Sequence, residues 1–165
     1  MTKRKIKKNI IFDFDGVIIN SHKIKTLAFY NIFKMYGKQK AILAKNYHLK
    51  NIGKSRFFKF KFILKHIVRK KFKKSDLSIL DNKFDYFVNK RIKKLQPSKF
   101  LNKFLKKNYQ KHNLYISTGT PQKKILKILE YKKLKKYFKK IYGSPENKLF
   151  HIQQIKKNNL TTLFI

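Results

Sequence analysis

Cysteine is absent from the 165-residue sequence, which excludes disulfides, thiolate metal sites and a cysteine nucleophile and fits a reducing cytoplasm. Acidic residues are almost as scarce: seven Asp and Glu stand against 44 Lys and Arg, for a formal charge of +37. Only four of those cations are arginines, whereas surfaces that read phosphates and bases favour the planar fork of arginine. Lys, Ile, Phe, Asn and Tyr make up 98 of the 165 residues, and all five are spelled by codons rich in A and T, so genome composition is the main expected source of the charge on any fold. No run approaches 18 uninterrupted apolar residues, and no membrane-spanning helix is expected. The basic start and the apolar stretch behind it do not make a secretory signal, because Asp13 and Asp15 interrupt the stretch. Repeats and low-complexity blocks are missing, and no histidine lies three or four residues from another, which removes the usual helical metal-ligand spacing.

What is present is a foldable pattern. With 42% hydrophobic and 15% aromatic residues the chain has enough apolar side chain to build a core. Asn9 to Phe14 is a short apolar run that ends in acids and Gly16, the pattern of a buried strand meeting a turn. Ser21 is a candidate N-cap for a helix carrying Ile24, Leu27, Ala28, Ile32 and Met35, stopped by Gly37. Helical spacing recurs over 39–47, 55–68 and 76–95 with no strand among them. Pro97 and Ser98 open a further helix, Asn113 to Thr118 is a strand turned by Gly119, and Pro121 starts the next helix. Lys139 to Gly143, Leu149 to Lys156 and Thr161 to Ile165 then alternate as strand, helix and strand. The expectation is an α/β fold: a Rossmann-like parallel sheet core, incomplete at its C-terminal side, made of 1–19 and 93–165, with an inserted all-helical cap at 20–92.

Ligands of parallel sheets bind at the carboxyl ends of the strands. The first strand ends in Asp13-Phe14-Asp15-Gly16, the second in Ser117-Thr118-Gly119-Thr120, and the third in Gly143-Ser144-Pro145 with Lys148 close behind. Two carboxylates could divide the work of nucleophile and acid/base while attracting a divalent cation. Hydroxyls and free amides at a helix start suit phosphate oxygens, and Lys148 is a possible counter-charge.

These residues resemble the haloacid dehalogenase-like superfamily, in the branch with a helical cap after the first strand. DFDGV looks like its first motif, STGT after LYI like its second, and the lysine of GSPENK like its third. YHLKNIGKSRF, 47–57, looks like the cap loop of phosphoglycolate phosphatase-like and β-phosphoglucomutase-like members. The resemblance implies hydrolysis of a small phosphorylated metabolite, such as a sugar phosphate or a phosphoglycolate-like compound. Asp13 would be the nucleophile that forms an aspartyl-phosphate, and Asp15 the acid and base. Thr118 and Gly119 would hold the phosphoryl group, Lys148 would neutralise it, and Arg56 would contact substrate from the cap. Magnesium would bind Asp13 and the carbonyl oxygen of Asp15. Ser117 would replace Thr118 if the strand is offset by one residue.

One departure from the family pattern bears on activity. The fourth motif is an acidic pair just beyond the fourth strand, and the sequence reaches TTLFI where it would begin. The resemblance therefore implies a weakened magnesium site, and an inactive relative is the rival expectation. A basic protein that associates with nucleic acid only through non-specific charge is another. The stretch RFFKFKF, 56–62, reads most simply as buried phenylalanines with lysine stems reaching out to water.

Overall fold

The computed structural model describes residues 6–157 and 159–165; the basic start at 1–5 lies outside them. Contacts divide the chain into two compact units, one joining the segment up to Asn20 to Gln96–Ile165, the other Ser21–Leu95.

The first unit is the α/β core. Its strands are β1 (Asn9–Phe12), β2 (Asn113–Pro121), β3 (Lys140–Ser144) and β4 (Thr162–Phe164). They form one parallel sheet in the order β3-β2-β1-β4. The run Asn9–Phe12 is buried throughout, as a central strand covered on both faces requires. Ile11 and Tyr115 face α7 (Lys148–Lys156), where they pack with Ile155 and Ile152. Phe12 points the other way, with its ring edge-on to Phe104 of α5 (Lys99–Asn108) and to Phe138, at 6.0 and 6.1 Å. Ser98 caps α5 by accepting from Leu101 N, as the sequence predicts. The strand starts are tied by a buried amide relay that the apolar pattern does not reveal. Asn113 Nδ2 donates to Asn9 Oδ1, and Asn9 Nδ2 donates to Ile155 O and Thr162 Oγ1.

Two strand ends differ from the expected pattern. β1 stops at Phe12, because Phe14 O accepts from Ile18 N and Ile19 N and Gly16 N donates to Ile19 O. That loop needs Gly16 at φ 89°. β2 does not turn at Gly119 but runs on to Pro121 through an irregularity: Ser117 pairs with Tyr142 and Pro121 with Ser144, so the extra residues on β2 are accommodated as a bulge. α6 (Gln122–Tyr131) follows directly. Its first residue, Gln122, spans to β3, with Nε2 donating to Ile141 O and Oε1 accepting from Gly143 N. A Cβ on Gly143 would lie 2.6 Å from Thr120 O and 2.8 Å from Gln122 N. Both are backbone atoms with no room to yield, so Gly143→Ala is expected to lower the unfolding free energy by about 1–3 kcal/mol, read from denaturant midpoints.

The second unit is all helical: α1 (His22–Phe33), α2 (Lys38–Lys50), α3 (Arg56–Phe62) and α4 (Lys74–Lys94), with a π-helical turn at Ile63–Val68 continuing α3. Ser21 occupies the N-cap position of α1 but makes no side-chain cap bond, whereas Ser55 caps α3 through Phe58 N. The interior is aromatic: Phe29 lies 5.5 Å from Phe60 and 5.4 Å from Phe84, ring centre to ring centre. The pattern on α3 follows the expected one only in part: Phe60 is buried and Lys61 exposed, but other positions depart from it. Arg56, Lys59 and Phe60 are buried while Phe58 and Phe62 are exposed, because a 3.6-residue helix turns 56, 59 and 60 to one side. Lys59 does not reach out to water. Its ammonium lies 3.1 Å from His48 Nδ1, and the His48 ring stacks on Phe29 at 4.3 Å.

Candidate active site

Asp13 follows directly on the last paired rung of β1, Phe12 opposite Ile116. Its two oxygens have different partners: Oδ1 accepts from the backbone N of Phe14 at 2.7 Å, and Oδ2 accepts from Lys148 Nζ at 2.5 Å. The ion pair is partly sheltered, with the two side chains 20% and 30% exposed, so it is stronger than a surface pair and still open to a ligand. Lys148 is the first residue of α7, whose N-cap Asn147 accepts from Phe150 N. Its ammonium also lies 5.3 Å from the centre of the Phe164 ring on β4. β4 reaches the same rim, since Asp13 N donates to Ile165 O at 2.9 Å.

Ser117 and Thr118 are both buried, but they do different things. Ser117 Oγ lies 2.8 Å from His151 Nδ1, so its hydroxyl is engaged beneath α7 on the Tyr115 side of the sheet. Thr118 falls in the bulge, where its Oγ1 accepts from Thr120 N at 3.2 Å, and Gly119 lies in the same bulged stretch. Of the two hydroxyls left open by the sequence, that of Ser117 is thus engaged by His151, and that of Thr118 lies in the bulge at the strand end. The Ser117–His151 link, which no spacing in the sequence indicates, fastens the second strand end to the helix that carries Lys148. Burial pushes the His151 imidazole below its ordinary value, with Lys148 acting in the same direction and Glu146 and the backbone of Gly143 opposing. The unfolded chain therefore binds a proton first as pH falls through about 6.5, and the folded state loses stability below that point. His151→Asn should flatten this part of the profile, measured as the difference between wild-type and variant unfolding midpoints from pH 7.5 to 5.

Asp15 forms a parallel bridge to Ile19 just beyond Asp13. Among the described residues no three His, Asp or Glu side chains gather as a metal cluster. An Asp13 carboxylate and an Asp15 backbone carbonyl are nevertheless hard oxygen donors of the kind magnesium takes, with water and substrate phosphate filling the rest of its octahedron.

Arg56 belongs to the helical unit and is 7% exposed. Its Nε lies 2.8 Å from Asp81 Oδ1 and its Nη1 2.6 Å from Asp85 Oδ1, and its guanidinium stands over the Phe84 ring at 4.9 Å. The expected substrate-facing cation is thus an internal tie between α3 and α4. The likeness of 47–57 to a cap loop missed this because a local motif does not show the acids that a neighbouring helix places beside it.

The sequence profile of the haloacid dehalogenase-like hydrolases matches residues 10–157, and the chain belongs to that family. No curated protein sequence matches it. Its fold is that of solved members. A haloacid dehalogenase-like hydrolase from Streptococcus pneumoniae superposes with a TM-score of 0.59 at 19% identity, covering 96% of this chain and 74% of that one. A predicted phosphoglycolate phosphatase from Haemophilus somnus gives 0.65 at 16%, covering 96% and 76%. A Bacillus subtilis protein provisionally described as a HAD-hydrolase, solved bound to magnesium, gives 0.62 at 17%, covering 97% and 79%.

Among the described residues no helix is long and apolar enough to cross a membrane.

Proposed function

We propose that the chain hydrolyses a small phosphorylated metabolite, a sugar phosphate or a phosphoglycolate-like compound, through an aspartyl-phosphate on Asp13. The observation that carries this reading is the Asp13–Lys148 pair: a carboxylate at a strand end, met by a cation that arrives 135 residues later. An Asp13 oxygen attacks phosphorus as the bond to the leaving alcohol oxygen breaks, and Asp15 donates the proton that the alcohol needs. Asp15 then takes a proton from water, whose oxygen attacks the same phosphorus and releases orthophosphate and the free Asp13 carboxylate. Thr118 and the Gly119 amide donate to the phosphoryl oxygens, and the Lys148 ammonium offsets their charge. Magnesium, held by Asp13 and by Asp15, would supply further neutralisation of those oxygens when bound. An acid delivered at the β4 end, beside Asp13 N, would complete its ligand set.

An inactive relative is the second reading. It is favoured by the engagement of both Asp13 oxygens and by the lack of a third ligating side chain among the described residues. Turnover of a phosphomonoester panel with magnesium, followed by borohydride quenching, separates the two. Reduction of an aspartyl-phosphate should leave homoserine at position 13 by mass spectrometry. Turnover with the label at another residue overturns the nucleophile, and no turnover on any ester leaves the inactive relative.

A further inference from the structure

The longest basic cluster, beginning at Arg69, takes no part in the chemistry proposed for Asp13. In the helical unit it forms a groove of about 430 Å³ lined by Lys65, Arg69, Lys70, Lys71 and Phe72. Backbone geometry sets the shape of this groove. The π-helical turn Ile63–Val68 ends where Arg69 adopts a left-handed conformation (φ 59°, ψ 42°), and Lys70 N closes back onto Leu64 O. Lys40 Nζ donates to Val68 O at 3.3 Å and ties this end to α2. One acid pairs here: Asp76 Oδ1 lies 2.8 Å from Lys70 Nζ. Among the described residues no acid is paired with Lys65, Arg69 or Lys71, all of which are exposed.

A second feature lies close by in the chain. Tyr47 and Phe62 stack at 4.1 Å with planes 3° apart, and Phe62 meets His66 at 4.5 Å. This ladder of rings ends at the exposed His66, next to Lys65 in the chain and about one helical turn before Arg69. Phe72, half-buried, lines the groove itself. Codon bias explains lysines scattered over every face. It does not explain a groove that combines one of only four arginines with an aromatic ring, Phe72, in its lining. Cations that follow a phosphate backbone, together with rings on which bases stack, are what single strands require.

We propose that this face of the helical unit binds single-stranded nucleic acid, with phosphates on Lys65, Arg69 and Lys71 and bases against His66 and Phe72. Anisotropy of a labelled ten-nucleotide oligo-dT across a salt series tests it on the full chain. Arg69→Gln with Lys71→Gln should lower the slope of log K against log salt by about 1.4, the value for two lost single-strand phosphate contacts. His66→Ala with Phe72→Leu should weaken binding about tenfold through lost stacking and leave the slope unchanged. Lys90→Gln with Arg91→Gln on α4 removes the same two charge types from another exposed face and should leave the slope near wild type. Equal effects of the two charge pairs would mean that the whole +37 field binds, and would overturn the site. Full affinity in the His66/Phe72 variant would overturn it too. So would inorganic tripolyphosphate or phosphatidylserine vesicles binding as tightly as the oligonucleotide.

Discussion

Asp13→Asn is expected to reduce phosphomonoester turnover by a factor on the order of 10³ or more while leaving the fold in place. The amide oxygen can still accept from Phe14 N, as Asp13 Oδ1 does at 2.7 Å, so the loop after β1 keeps its local bond. What disappears is the oxygen facing Lys148, which is the proposed attacking group and the partner of the ammonium. Both side chains are partly open to solvent, so the stability cost of losing the pair should stay near about 1 kcal/mol. A thermal melt close to wild type together with lost turnover is therefore the expected signature. Undiminished turnover in Asp13→Asn would remove Asp13 from the reaction, and a collapsed melt would show that the pair serves the fold before the chemistry.

Arg56→Gln is expected to act in the opposite manner, on stability before rate. Its guanidinium lies within 2.8 Å of Asp81 and 2.6 Å of Asp85, and the three side chains are 8%, 17% and 13% exposed. Removing the cation leaves two sheltered carboxylates without it, a change that typically costs 3–5 kcal/mol, so about 3 kcal/mol is expected at this degree of burial. Replacing the whole cluster, Arg56→Met with Asp81→Asn and Asp85→Asn, should recover much of that loss, because breaking a buried pair is worse than deleting it. Denaturant unfolding of the single and triple variants checks both statements. Were Arg56 instead a substrate contact, the single variant would melt normally and raise KM.

These two arginine and aspartate positions also mark how far the sequence could be read. The placing of Asp13 and Asp15 just beyond the first strand was legible because a buried strand ending in acids and Gly16 is a local pattern: three apolar residues, Ile10 to Phe12, then the turn chemistry that stops them. The helices were legible for the same reason, since Ser55 and Ser98 cap through neighbours three residues away. Thr118 could not be separated from Ser117 by alternation alone. It took the His151 ring beneath α7 to engage one hydroxyl and the bulge before Pro121 to set the other apart. Lys59 and Arg56 sit on a face that the helical period marks as buried, where lysine and arginine are expected only when paired. Their partners His48, Asp81 and Asp85 lie on other helices.

The sequence by itself determined the order of strands and helices along the chain, because periodicity, capping and turn preference act over a few neighbours. Only the tertiary structure decided which of forty lysines meets Asp13, that Arg56 ties two helices together, and that Arg69 and its neighbours line one groove. Each of these depends on contacts between segments far apart in the chain, and long-range charge pairing leaves no periodic trace in the sequence.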